Sequence, residues 1–146
     1  MEKVFHFDSP REHYRADACV ITCFDARFDI AIRKFLKRRG LAIYDQVKIP
    51  GSAKALAAPE QDRDRDFVLG MLGVSVNLHH APLALLIGHN ECGGYRGAPA
   101  DAIVADLVRA AAVVRSALPS LDVECYFADF DGIYRCDGAE PATISA

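Results

Sequence analysis

Two cysteines and a histidine are the residues of this chain best suited to chemistry: Cys23 in CVITCFDAR, and His89 and Cys92 in GHNECGGYRG. Two thiolates and an imidazole form a ligand set for zinc, and three protein ligands leave a fourth tetrahedral position for water or substrate. His89 and Cys92 are close enough to chelate together, whereas Cys23 must close the site from a distant segment. A zinc ribbon would show two close pairs instead, so the spacing suits catalysis better than scaffolding. Asp25 and Arg27 follow Cys23 within reach of a metal bound there. An arginine at that spacing can hold the carboxylate by a charge-assisted contact. The carboxylate can then accept a hydrogen bond from water on the metal, or bind the metal itself and shut the site.

These side chains can act together only if the fold assembles them. ACVITCF, residues 18–24, is apolar and partly β-branched and reads as a buried strand. FDIAIRKFLKRRG reads as a helix with a basic last turn before Gly40, a favourable stop signal. LAIYDQVKI is a second strand, ended by Pro50-Gly51, and Pro59-Glu60 opens a second helix whose first turns carry Glu60, Asp62 and Asp64 and which runs to about His80. PLALLIG is a third strand, and a glycine-rich loop leads from it to the helix DAIVADLVRAAAVVRSAL. LDVECYFADF is a fourth strand, with Asp131-Gly132 as a hairpin turn into IYRC. This alternation predicts an α/β fold with a mainly parallel sheet, to which the last hairpin adds an antiparallel edge. Residues 1–17 read as a short helical or irregular N-terminal arm and residues 18–146 as a single domain. In such sheets ligands bind beyond the carboxyl ends of the strands, where the winding reverses. Cys23 lies at the carboxyl end of strand one, and His89 and Cys92 follow that of strand three. If those strands are neighbours, all three side chains share one crevice.

Composition narrows the partners. The 146 residues hold 17 Lys and Arg against 20 Asp and Glu, a formal charge of −3, so no overall field draws the chain to nucleic acid or an anionic membrane. The longest apolar run, APLALLIG, is far short of the roughly 20 residues that span a bilayer. MEKVFHFDSP shows no apolar export segment, and five cysteines in that setting argue for a reduced, cytoplasmic protein rather than a disulfide framework.

Other candidates have plainer readings. His79-His80 precedes strand three, roughly 20 Å from the proposed site at seven strand residues, and reads as a solvated helix end. Cys19 lies deeper on the strand than Cys23 and reads as core; Cys125 and Cys136 read as buried or edge residues. RKFLKRR is helix-end charge. Glycines 93, 94 and 97 lack the Lys-Ser/Thr of a phosphate loop and fit a tight turn around a ligand loop.

CFDAR resembles the Cys-x-Asp-x-Arg motif of the β-class carbonic anhydrases, and GHNECGG their His-x-x-Cys-Gly motif, in the same order and each at a strand end. The resemblance runs from about Ala18 to Cys136 and includes FVLGMLGVSVNLHHAPLALLIGH, which is similar to the family's helix and strand before the second motif. It implies an α/β fold with a mainly parallel central sheet in the order 2-1-3-4, an antiparallel edge hairpin strand, and helices on both faces. It implies one Zn2+ per chain on Cys23, His89 and Cys92, with Asp25 and Arg27 as the catalytic pair. The implied reaction is reversible hydration of carbon dioxide to bicarbonate by zinc-bound hydroxide. The alternatives are hydrolysis of carbonyl sulfide or carbon disulfide at the same zinc, or a non-catalytic zinc protein. Because the family builds its pocket across a subunit interface, a homodimer or higher homo-oligomer is also implied. Where the family carries Arg-Asn-Ala-Gly after strand two, this chain reads IPGSAKAL, in which Gly51 and Ala53 can keep a tight backbone approach while Pro50 has no amide to donate.

Overall fold

The computed structural model describes residues 1–136; the last ten residues of the expected domain lie outside the described residues. The elements are β1 (Ala18–Thr22), α1 (Ala26–Arg38), β2 (Tyr44–Lys48), α2 (Lys54–Ala57), α3 (Asp62–His79), β3 (Leu83–His89), α4 (Ala100–Ala117), β4 (Asp122–Asp129) and β5 (Gly132–Arg135). They form one sheet in the order β2-β1-β3-β4-β5, parallel throughout except for the antiparallel β4–β5 pair.

Burial on both faces explains why β1 and β3 are continuous apolar runs rather than alternating ones. On one face α1 sets Phe28 and Leu36 against Val20, Leu85 and Ile87. On the other, α2, α3 and α4 set Leu56, Leu72, Leu107 and Val114 against Ile21, Leu86 and Cys125. From β1 the chain winds outward to β2, then returns to place β3 on the other flank of β1. The reversal therefore falls between β1 and β3, where Thr22 pairs with Ile87 and the two carboxyl ends stand side by side.

Local details depart from the sequence reading. Helix α1 starts two residues earlier than the periodicity indicated, because Asp25 is its N-cap and accepts the Arg27 amide at 3.0 Å. The short helix α2 starts within IPGSAKAL and ends one residue beyond it, and α3 begins only at Asp62. His79, expected to be solvated, is instead largely covered. Its Nδ1 bonds the Asp45 carboxylate at 2.8 Å, and its ring lies 4.0 Å from that of Tyr14. Asp45 also accepts from Tyr14 Oη and Ser75 Oγ, each at 2.6 Å, so an edge-strand carboxylate draws three donors inward. Cys19 and Cys125 are buried, as expected. Residues 1–13 hold no helix or strand, while the amides of Ala16 and Asp17 bond the carbonyls of His79 and Ile43.

Candidate metal centre

Cys23 lies one residue beyond β1, His89 is the last residue of β3, and Cys92 lies at the end of the turn that follows. Potential ligand atoms of the three lie within 4.8 Å of one another, an arrangement with three metal-ligating donors among the described residues. The two sulfurs are 3.9 Å apart. Two thiolates bound to zinc at about 2.3 Å with a tetrahedral angle stand about 3.8 Å apart, so the spacing needs almost no adjustment.

His89 supplies the most informative atom. Its Nδ1 donates to the Asn90 carbonyl at 2.8 Å, a bond that fixes the tautomer and leaves a lone pair on Nε2. That Nε2 is buried and has no hydrogen-bond partner. Buried polar atoms are ordinarily satisfied, and a cation coordinated with the two sulfurs is the partner this donor set fits. Phe28 backs the imidazole at 4.7 Å between ring centroids. Asn90 pins the ligand turn to β4: its amide bonds the Ala128 carbonyl and its side chain donates to Asp129, each at 2.9 Å.

Backbone amides favour the charged sulfurs: those of Asp25 and Gly51 act to lower the Cys23 pKa, and those of Gly94 and Gly51 act in the same direction on Cys92. Burial works against ionisation of Cys23, but the facing His89 imidazole and these amides outweigh it and lower its pKa. Burial and the neighbouring Cys23 raise that of Cys92. Burial alone would lower the His89 pKa; the Cys23 sulfur and the Asn90 carbonyl raise it instead.

The divergent segment after β2 builds this cradle. Pro50 and Gly51, at φ +75°, form a turn closed by Ser52 N–H to the Ile49 carbonyl at 3.0 Å. Gly94 packs against it so closely that a Cβ there would lie 2.5 Å from the Gly51 nitrogen. The tight approach expected of IPGSAKAL is present at Gly51. Lys54 Nζ donates to the Gly94 carbonyl at 2.9 Å and ties the two loops together. Tyr95, whose pKa is pushed up by burial and by the Asp106 carboxylate, packs in one cluster with Ile103 and Val104 of α4. A groove of about 540 Å3 runs along the outside of these loops, lined by Pro50, Lys54, Phe67 and Arg96, and contains none of the three candidate ligands.

Asp25 and Arg27 meet as the sequence led us to expect. Arg27 Nη2 donates to Asp25 Oδ2 at 2.8 Å, and Nε lies 3.1 Å from both carboxylate oxygens. Hydrogen bonds from the Arg27 side chain and amide hold the carboxyl far down, at about 2. Its Oδ2 stands 4.0 Å from His89 Nε2. Asp25 is thus engaged by Arg27 while remaining beside the candidate ligands. Glu91, which sequence reasoning passed over, also takes hydrogen bonds from Arg27.

A family model described as "Putative carbonic anhydrase" matches residues 14–134. An uncharacterized protein of Rickettsia bellii (strain RML369-C) is 22% identical over 148 residues, covering 90% of each chain. Among solved structures, β-carbonic anhydrase isoform I of Trichomonas vaginalis superposes with a TM-score of 0.62 at 11% identity, covering 90% of this chain and 87% of that one. The apo form of a carbon disulfide hydrolase gives a TM-score of 0.55 at 10% identity, covering 92% and 90%. At such identities the structural likeness establishes the fold.

Proposed function

The chain belongs to this carbonic anhydrase family, and from that premise we propose that it catalyses the reversible hydration of carbon dioxide to bicarbonate with one zinc ion per chain. The observation that carries the proposal is the buried, partnerless Nε2 of His89 beside two sulfurs 3.9 Å apart. Zinc held by Cys23, His89 and Cys92 would supply Lewis acidity that makes water a nucleophile, more weakly than at a three-histidine site because two thiolates offset its charge.

The remaining work falls to the chain itself. The amides of Gly51, Gly94 and Asp25 support the two sulfurs as thiolates. Asp25, ionised and 4.0 Å from His89 Nε2, is placed to accept a hydrogen bond from the attacking water and so orient its lone pair. Arg27 keeps that carboxylate charged and aimed. A scaffold-only zinc site needs neither residue, and this favours an enzyme.

The chain is taken to work as a homodimer or higher homo-oligomer of one domain with a short N-terminal arm. Phe67, Val74 and Leu78 stand exposed on α3 and support that assembly. A reducing cytoplasm suits a site built on two thiolates. The second reading, hydrolysis of carbon disulfide or carbonyl sulfide, is supported by the likeness to a carbon disulfide hydrolase. Presenting carbon dioxide, carbonyl sulfide and carbon disulfide separately to zinc-loaded protein decides between them. Carbon dioxide is expected to turn over much the fastest; hydrogen sulfide release that outpaces hydration would overturn the assignment.

A further inference from the structure

Glu91 lies between two of the candidate ligands, His89 and Cys92, and is a non-glycine residue at φ +52°. That left-handed conformation is unfavourable for a residue with a Cβ; here the Glu91 amide donates to Asn90 Oδ1 at 2.8 Å. In this geometry both acceptors of Glu91 face α1. Arg27 Nη1 donates to its carboxylate and Arg27 Nη2 to its carbonyl, each at 3.3 Å.

The guanidinium is therefore shared between two segments. One edge, Nε and Nη2, holds Asp25, and the other reaches the turn that carries His89 and Cys92. Phe28 and Phe130 lie 5.6 Å from its carbon on their ring centroids. The Asp25–Arg27 contacts by themselves fix the carboxylate only relative to the start of α1, since both residues belong to that segment. The contacts to Glu91 refer it to the β3 side of the site.

We propose that Glu91 is a positioning residue, which acts through Arg27 to set the Asp25 carboxylate against the His89–Cys92 turn. The proposal rests on the reading of Asp25 and Arg27 as the catalytic pair. Both partners are well exposed, with side chains 47% and 66% accessible, so solvent screening keeps the effect modest. In Glu91→Gln the outer anchor weakens, and kcat falls about three- to tenfold with KM and zinc content unchanged.

Two readouts test it, one independent of turnover. In nitrogen NMR of the zinc-loaded protein, the signal of Arg27 Nη1, which faces the Glu91 carboxylate, shifts and exchanges faster in Glu91→Gln, while that of Nε, held by Asp25, stays in place. The kcat loss disappears when the same change is made in Arg27→Lys, where the two-edged contact is already gone. Arg27 signals indifferent to Glu91→Gln, or an equal kcat loss in the Arg27→Lys background, would overturn the proposal. A wild-type chain that hydrates no carbon dioxide, yet shows Arg27 signals dependent on Glu91, would remove the proposed reaction and support the clamp.

Discussion

Cys92→Ala is expected to leave the fold standing and the metal gone. Cys92 is buried beside Ile103 and Phe127, so truncation to alanine removes a single sulfur from a small apolar cluster. The consequence for zinc is much larger. Four-ligand structural zinc sites bind with roughly 10–16 kcal/mol, so one ligand is worth about 10²–10³-fold in affinity. The two donors left, Cys23 and His89, belong to different segments and no longer include the close pair that chelates. Competition with a chromogenic chelator should show that loss, and hydration should fall with it. Zinc should raise the melting temperature of the wild type, because it binds the folded chain, and leave that of the variant nearly unchanged. A variant that retains one zinc per chain with wild-type affinity would exclude Cys92 as a ligand.

Asp25→Asn should do the opposite: zinc stays and turnover goes. Asparagine is as good an N-cap as aspartate, so the start of α1 is kept, whereas Asp25→Ala would add about 1 kcal/mol of lost capping to any catalytic effect. What asparagine cannot provide is a charged acceptor for water or a charged partner for Arg27. General-base and orienting groups contribute about 10²–10⁴-fold, and a fall in kcat of that size is expected at unchanged zinc content. The pH dependence follows from the sign of the Asp25 shift. Its pKa is about 2 in the folded chain against 3.8 ordinarily, so the stability it lends is complete above pH 4 and is lost as pH falls through 2. Between pH 6 and 9 Asp25 does not titrate, and no change of rate in that window belongs to it. Wild-type turnover in Asp25→Asn would show the carboxylate to be an N-cap and nothing more.

What could be read in the sequence was the part governed by periodicity and strand order. The runs ACVITCF and PLALLIG are buried on both faces, and unbroken hydrophobicity reports that environment directly. Once β1 and β3 are neighbours, Cys23, His89 and Cys92 must converge, and they do. The contributions that stayed hidden come from backbone and from partners distant in sequence. Gly94 read as a turn glycine; its structural reason is the Gly51 backbone 43 positions earlier, which no local pattern encodes. His79 read as a solvated helix end because its partner, Asp45, lies on an edge strand packed against the helix. Glu91 looked like an ordinary surface glutamate because its role depends on a left-handed backbone and on an arginine from another element. Asp25 is also the N-cap of α1, a role legible only with the helix start fixed two residues earlier.

Stopped-flow hydration of carbon dioxide at pH 7 and pH 9, on protein carrying about one zinc per chain, tests the central claim most directly. The two-thiolate site predicts measurable hydration that rises from pH 7 through pH 8 to pH 9 and is absent in Cys92→Ala. Zinc-loaded protein with no hydration at either pH would contradict the assignment, and an equal rate at both would contradict the acidity argued from the two thiolates.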